Sequence, residues 1–154
     1  HLDRLTREFV LDHGATPATL HYRGYRHSLC TSLNHVVCHG IPGPKPLRDD
    51  DILNIDVTVI VDGWHGDTSR MYTVGEPKRK AERLIDITYE AMMAGIDAVK
   101  PGVTLGTIGA IIQEYAEERR CSVVRDFCGH GLGQLFHDSP NVLHFGTRGE
   151  GVRM

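Results

Sequence analysis

Two aspartates and three histidines carry most of the chemistry this sequence offers. Asp56 stands in a run that is otherwise Ile55, Val57, Val59 and Ile60, and Asp67 follows a short way downstream. A carboxylate in an apolar strand is costly to desolvate unless something compensates it. Between the two lies Asp62-Gly63, a dipeptide that favours a two-residue hairpin turn. Ile52–Val61 and Trp64–Val74 read as its strands, which sets Val61 opposite Trp64 and Thr58 opposite Asp67. Side chains alternate along a strand, so Asp56, Thr58 and Asp67 share one face. Asp56 and Asp67 are then diagonal neighbours, about 7–8 Å apart at Cα. Two carboxylates so placed repel, and one takes up a proton unless a cation lies between them. Taken alone, the hairpin also admits a plainer reading, two aspartates on a solvated face.

The histidines favour the cation. His39 ends Val36-Val37-Cys38-His39 and opens onto the proline-rich loop Gly40–Pro46; His130 stands between Gly129 and Gly131, and His137 lies in Phe136-His137-Asp138. Glycines beside a histidine permit close approach of backbone or ligand. A mixed carboxylate and imidazole set suits Mn, Fe, Co or Zn. Thr58, between the two aspartates on their face, is placed to steady them by hydrogen bonding. His65 shares that face by parity, where a hydrogen-bonded structural histidine is the simpler reading. The glycine run from Gly129 to Gly133 leads into Leu135-Phe136-His137-Asp138-Ser139-Pro140, a poor helix start, so a dinucleotide loop is not indicated.

These residues need a scaffold. The chain has 154 residues, 40% hydrophobic and 24% charged, which suits one globular domain with a core. Its net charge of -3 gives no reason to expect nucleic acid or an anionic membrane as partner. No apolar run approaches the roughly 18 residues of a membrane span. The four cysteines, Cys30, Cys38, Cys121 and Cys128, form no CxxC pair; without a signal sequence at the start, free thiols fit a reducing compartment. A helix is expected over residues 2–13, stopped at Gly14, and extended chain over 28–38. After the hairpin, residues 78–99 read as a long helix, and Thr104 caps a second through about Arg119. Ser122–Phe127 reads as a short strand. The order is that of a mixed α and β domain, not a parallel βαβ array.

At this point the strings Cys38-His39-Gly40-Ile41-Pro42, Asn54-Ile55-Asp56-Val57-Thr58-Val59, His65-Gly66-Asp67-Thr68-Ser69 and Gly129-His130-Gly131-Leu132-Gly133 resemble, in order and spacing, the type I methionine aminopeptidases. The resemblance covers essentially the whole chain. It implies an α/β (α+β) pita-bread fold of the creatinase/aminopeptidase kind, two pseudo-symmetric halves around a curved antiparallel sheet with helices on its outer face. It also implies a cytoplasmic, monomeric enzyme that removes N-terminal methionine from nascent proteins using two divalent metal ions (Co, Mn, Fe or Zn). By the same resemblance Asp56 and Asp67 are bridging metal ligands, Asp56 bidentate, and His130 is the histidine ligand. His39 and His137 contact the substrate and the tetrahedral intermediate. Tyr22, Tyr25, Cys30 and Phe136 line the methionine pocket, where Thr19 replaces a cysteine found in some relatives. The cations would acidify a water that attacks the first peptide bond. The alternatives are a non-catalytic binding module of the same fold or a proline-specific aminopeptidase.

In that family two further glutamate ligands lie on strands downstream, and an extra helix precedes the region matched. Residues 1–154 are therefore read as a fragment of a single catalytic domain, without that N-terminal helix and those C-terminal strands. A verified 154-residue polypeptide is expected to release negligible methionine from a Met-peptide. Robust metal-dependent release in a coupled amino-acid assay would contradict this.

Overall fold

The computed structural model describes residues 1–154, which form two compact units: 1–81 with 132–136, and 82–131 with 137–154. In the first unit, helix α1 (Leu2–Asp12) ends two residues before Gly14, whose φ of 74° is the left-handed stop its position suggested. Asp3 in its first turn reaches across the chain. Its carboxylate accepts from the Ser28 amide at 2.6 Å and lies 3.0 Å from His27 Nδ1, so it ties α1 to the segment leading into the sheet.

The sheet of this unit is built on one long strand. Strand β1 (Thr16–Pro17) and strand β2 (Cys30–Leu33) both pair antiparallel with β3 (Ile52–Val61). Strand β4 (Trp64–Thr73) pairs with β3 along its whole length, so β1 and β2 share the other edge in succession. Pro17, which has no N–H, lies in a strand with only β3 beside it, where no second ladder needs that donor. The turn between β3 and β4 is the expected two-residue one, with Asp62 at φ 50° and Gly63 at φ 82°. Both central residues are left-handed, as a type I′ turn requires.

Extended chain was expected as far as Cys38, but β2 stops at Leu33. Asn34 takes φ 54°, and its Oδ1 accepts from the Ile52 amide at 3.1 Å. An asparagine tolerates the left-handed region, and that turn of the backbone takes the chain out of the strand. His39 is thus well past the strand end, not at it.

In the second unit, helix α2 (Arg79–Asp97) and helix α3 (Leu105–Glu118) occupy the expected positions. Gly95 of α2 lies against Ile112 and Ile108 of α3: a Cβ there would meet Ile112 Cδ1 at 2.8 Å. Thr104 caps α3, its hydroxyl accepting from the Thr107 amide at 3.4 Å. Gly106 and Gly109, three apart and on one face of α3, admit the backbone of 143–150. A Cβ at Gly109 would stand 2.3 Å from the Phe145 carbonyl oxygen. Thr107 Oγ1 accepts from the Gly149 amide at 2.9 Å, and Arg148 forks onto Glu114, fastening the same segment.

The strand expected at Ser122–Phe127 does not form. Strand β5 is Gly129–Gly131, paired with β6 (Asp138–Val142). Apolar content marked the earlier residues, but a strand needs a ladder partner, and β6 faces the glycines. All pairings are antiparallel, and no helix is long and apolar enough to cross a membrane.

Gly109→Ala puts a methyl group against two carbonyl oxygens that belong to backbone and cannot swing aside. It is expected to cost about 3 kcal/mol, the upper range for overpacking. Gly43→Ala, with nothing within 4 Å of the added atom, is the control and should stay within about 0.5 kcal/mol. Urea unfolding midpoints of the two variants check this.

Candidate functional site

The carboxylates come first. The β3–β4 ladder pairs Thr58 with Asp67 and Asp56 with Ser69, so Asp56 and Asp67 are diagonal on one face, as the turn required. Thr58, 2% exposed, donates from Oγ1 to Asp67 Oδ1 at 2.8 Å. That bond turns the Asp67 carboxylate to one orientation. Cys30 is paired with Asp56 across the β2–β3 ladder and presents its thiol on the same face.

Tyr25 and Cys30 form one group. The Tyr25 hydroxyl lies 3.0 Å from the Leu29 carbonyl oxygen and 3.4 Å from that of Gly40, donating to them. Burial pushes the Tyr25 phenol well above its usual value, helped by the hydrogen bond with Cys30. Burial likewise pushes the Cys30 thiol up, against the hydrogen bond with Tyr25, and the Asp56 charge adds to the rise. Cys38 is raised by burial and by Asp56. Both thiols therefore stay neutral, forming an uncharged, polarisable wall beside Asp56. Thr19 gives its hydroxyl to the His27 carbonyl at 2.9 Å.

Tyr22 and Phe136 pack ring to ring at 4.7 Å, and Phe136 stacks on His65 at 5.4 Å. His65 is the hydrogen-bonded histidine: its amide donates to the Gly133 carbonyl at 2.8 Å, and Nδ1 lies 3.0 Å from the same oxygen. It fastens residues 132–136 to β4 and so sets where Phe136 stands. The Tyr25 bonds and the His65 tether carry no sequence signal beyond the presence of polar groups that burial obliges to pair.

In the second unit, His130 and His137 face each other with ring centroids 4.4 Å apart. They line a cavity of about 450 Å³ with Asp126, Cys128, Asp138 and Asn141. His130 Nδ1 lies 2.9 Å from the Gly131 carbonyl oxygen. A carbonyl only accepts, so Nδ1 is the donor in this bond, the kind of backbone tether that orients a metal-ligating imidazole. Gly131 has a structural reason to lack a side chain: a Cβ would stand 2.3 Å from the Ser139 oxygen. Its space is taken by β6 backbone rather than a ligand. His39 is exposed, with φ 54°.

The donor chemistry fits divalent cations. In the first unit Asp56 and Asp67 are paired oxygen donors whose mutual repulsion a cation relieves; in the second, His130 is an imidazole of the kind that transition metals take. The structure gathers no three or more His, Cys, Asp or Glu side chains into a metal-holding group.

Comparison with known proteins then gives the class: the profile of metallopeptidase family M24 matches residues 1–153, and the chain belongs to that family. Within it, the similarity is to methionine aminopeptidases. The chain is 57% identical over 153 residues to the methionine aminopeptidase of Rickettsia prowazekii, covering 99% of this chain and 59% of that protein. The crystal structure of methionine aminopeptidase from the same organism superposes with a TM-score of 0.98, covering 99% of this chain and 62% of that one. The Thermotoga maritima enzyme superposes at 0.97 with 34% identity, covering 99% and 62%. A Pyrococcus furiosus prolidase is more distant, at 0.68 and 25% identity, covering 76% and 36%. The fold is therefore the expected pita-bread one, and the chain spans about three-fifths of the curated relative's length.

The Tyr25 phenol yields a pH prediction. A group whose pKa is raised by folding contributes stability fully present below its ordinary value, about 10 for tyrosine, and lost as pH climbs past it. Tyr25→Phe should cost about 1 kcal/mol at neutral pH, the scale of one hydrogen bond. Its deficit against the parent should shrink above pH 10. Urea unfolding at pH 7 and pH 10.5 measures both.

Proposed function

We propose that the protein carrying these residues is a metal-dependent aminopeptidase that removes N-terminal methionine from peptides and nascent proteins. The observation that carries this reading is the same-face pair Asp56 and Asp67, with Thr58 bonded to Asp67, in a chain 57% identical to a methionine aminopeptidase. Two divalent cations of the Mn, Fe, Co or Zn kind, when bound, supply Lewis acidity for the scissile carbonyl and lower the pKa of water. In this reading Asp56, through both oxygens, Asp67 and His130, through Nε2, are the ligands these residues provide. His39 and His137 donate to the oxygen that gains charge as the amide carbon turns tetrahedral. Tyr22, Tyr25, Cys30 and Phe136 receive the methionine side chain. Aromatic rings and a neutral thiol suit an unbranched thioether, which has no charge to satisfy and a polarisable sulfur to place. The same reading makes residues 1–154 part of one catalytic domain of a monomeric, cytoplasmic enzyme.

The test uses the natural gene product, stripped of metal and reconstituted with Mn²⁺ or Co²⁺, against peptides that begin with Met, Pro or Leu. Metal-dependent release of Met alone is expected. Asp56→Asn, Asp67→Asn and His130→Ala should each reduce kcat/KM by at least about 10²-fold, the scale of losing one group that stabilises the transition state. Release of Pro in preference to Met, or activity indifferent to all three substitutions, would contradict the proposal.

A further inference from the structure

His39 is held in an unusual way. It lies outside any strand or helix, and its φ of 54° is in the left-handed region that few residues other than glycine adopt. The residue after it is fixed on all sides. Gly40 is buried, and a Cβ there would stand 2.1 Å from the Thr31 carbonyl oxygen, an impossible contact with backbone. The Gly40 carbonyl accepts from the Thr31 amide at 2.7 Å and from the Tyr25 hydroxyl at 3.4 Å. The Gly40 amide donates to Ser32 Oγ at 3.0 Å. Ser32 is 2% exposed, an odd place for a hydroxyl in a short strand unless the hydroxyl has work to do.

The Gly40 amide belongs to the peptide unit that joins His39 to Gly40. A bond to that N–H fixes the plane of the unit and with it ψ of His39. Ser32 in turn is held by the β2–β3 ladder: it pairs with Asn54, and two residues along β2 Cys30 pairs with Asp56. The backbone of His39 is thereby referred to the strand that carries Asp56, through one side-chain hydrogen bond.

We propose that Ser32 is a positioning residue for His39, fixing the direction of the imidazole by anchoring the following peptide. The inference rests on the role given to His39 above. Ser32 touches no substrate; it acts through the Gly40 amide. Loss of its hydroxyl should leave β2 paired and the pocket formed, and let the His39–Gly40 peptide rotate. The defect should then fall on kcat, where His39 acts on developing charge, more than on KM.

The experiment compares Ser32→Ala, Ser32→Thr and Ser32→Val in the natural gene product with a Met-peptide substrate, with His39→Ala as reference. Thr and Val have nearly the same volume and differ in the hydroxyl, so packing damage cancels between them. Amide exchange at Gly40, followed by NMR, is read in the same proteins without reference to activity. The Ala and Val variants should lose about 10- to 100-fold in kcat, the loss expected from disturbing a group that orients a site residue. Their KM should change little, and Gly40 exchange should quicken at least tenfold while amides of β3 and β4 keep their rates. The Thr variant should recover most of both. A Val variant as active as Thr, or Gly40 exchange unchanged in Ser32→Ala, overturns the proposal. If His39→Ala is itself fully active, the role of His39 fails and this proposal with it. If His39→Ala is impaired and Ser32→Ala is not, this proposal alone fails.

Discussion

Val61 lies opposite Trp64, and every other pairing along β3 and β4 follows from that closure. The side-chain period of a strand is two, so a slip of one residue would carry Asp67 to the face opposite Asp56. The turn prevents the slip. Asp62 and Gly63 both take left-handed φ, which a two-residue loop of this hand requires and most other residues resist. The placement of two like charges on one face is therefore decided by a local backbone preference some distance from them. Thr58, buried between them, spends its hydroxyl on Asp67, so one of the two carboxylates is already oriented before any cation arrives.

The hairpin was legible because its signals are local and agree. A β-branched run, a turn dipeptide and a second run lead to one register, and parity then groups Asp56, Thr58 and Asp67. Helices α2 and α3 were legible for the same reason, the second down to its cap at Thr104. The errors fall where structure depends on distant partners. Ser122–Phe127 is apolar enough for a strand but gains no ladder, while the glycine-rich Gly129–Gly131 becomes one because Asp138–Val142 faces it. Nothing in Asp138-Ser139-Pro140-Asn141-Val142 advertises a strand, since its polar and proline content argues against one. The end of β2 at Asn34 is set by a hydrogen bond to Ile52, eighteen residues away.

The candidate site residues split along the same line. The aspartates could be placed from spacing, but the rings could not. Phe136 stands against Tyr22 because His65 binds the Gly133 carbonyl, and Tyr25 points its hydroxyl at the Leu29 and Gly40 carbonyl oxygens. Such bonds follow from the general demand that buried polar groups be paired, which names no partner in advance. The glycines show how a residue type can be noticed for one reason and needed for another. Gly131 beside His130 invites thoughts of a ligand, yet the group that fills the space is the Ser139 carbonyl.

In the proposed function Asp56 and Asp67 hold divalent cations in common. Crystals of the natural gene product grown with Mn²⁺ and measured at the manganese absorption edge test it most directly. Anomalous peaks are expected within bonding distance of carboxylate oxygens from both residues. Manganese bound elsewhere, or no peak at these carboxylates in crystals saturated with the ion, would contradict it.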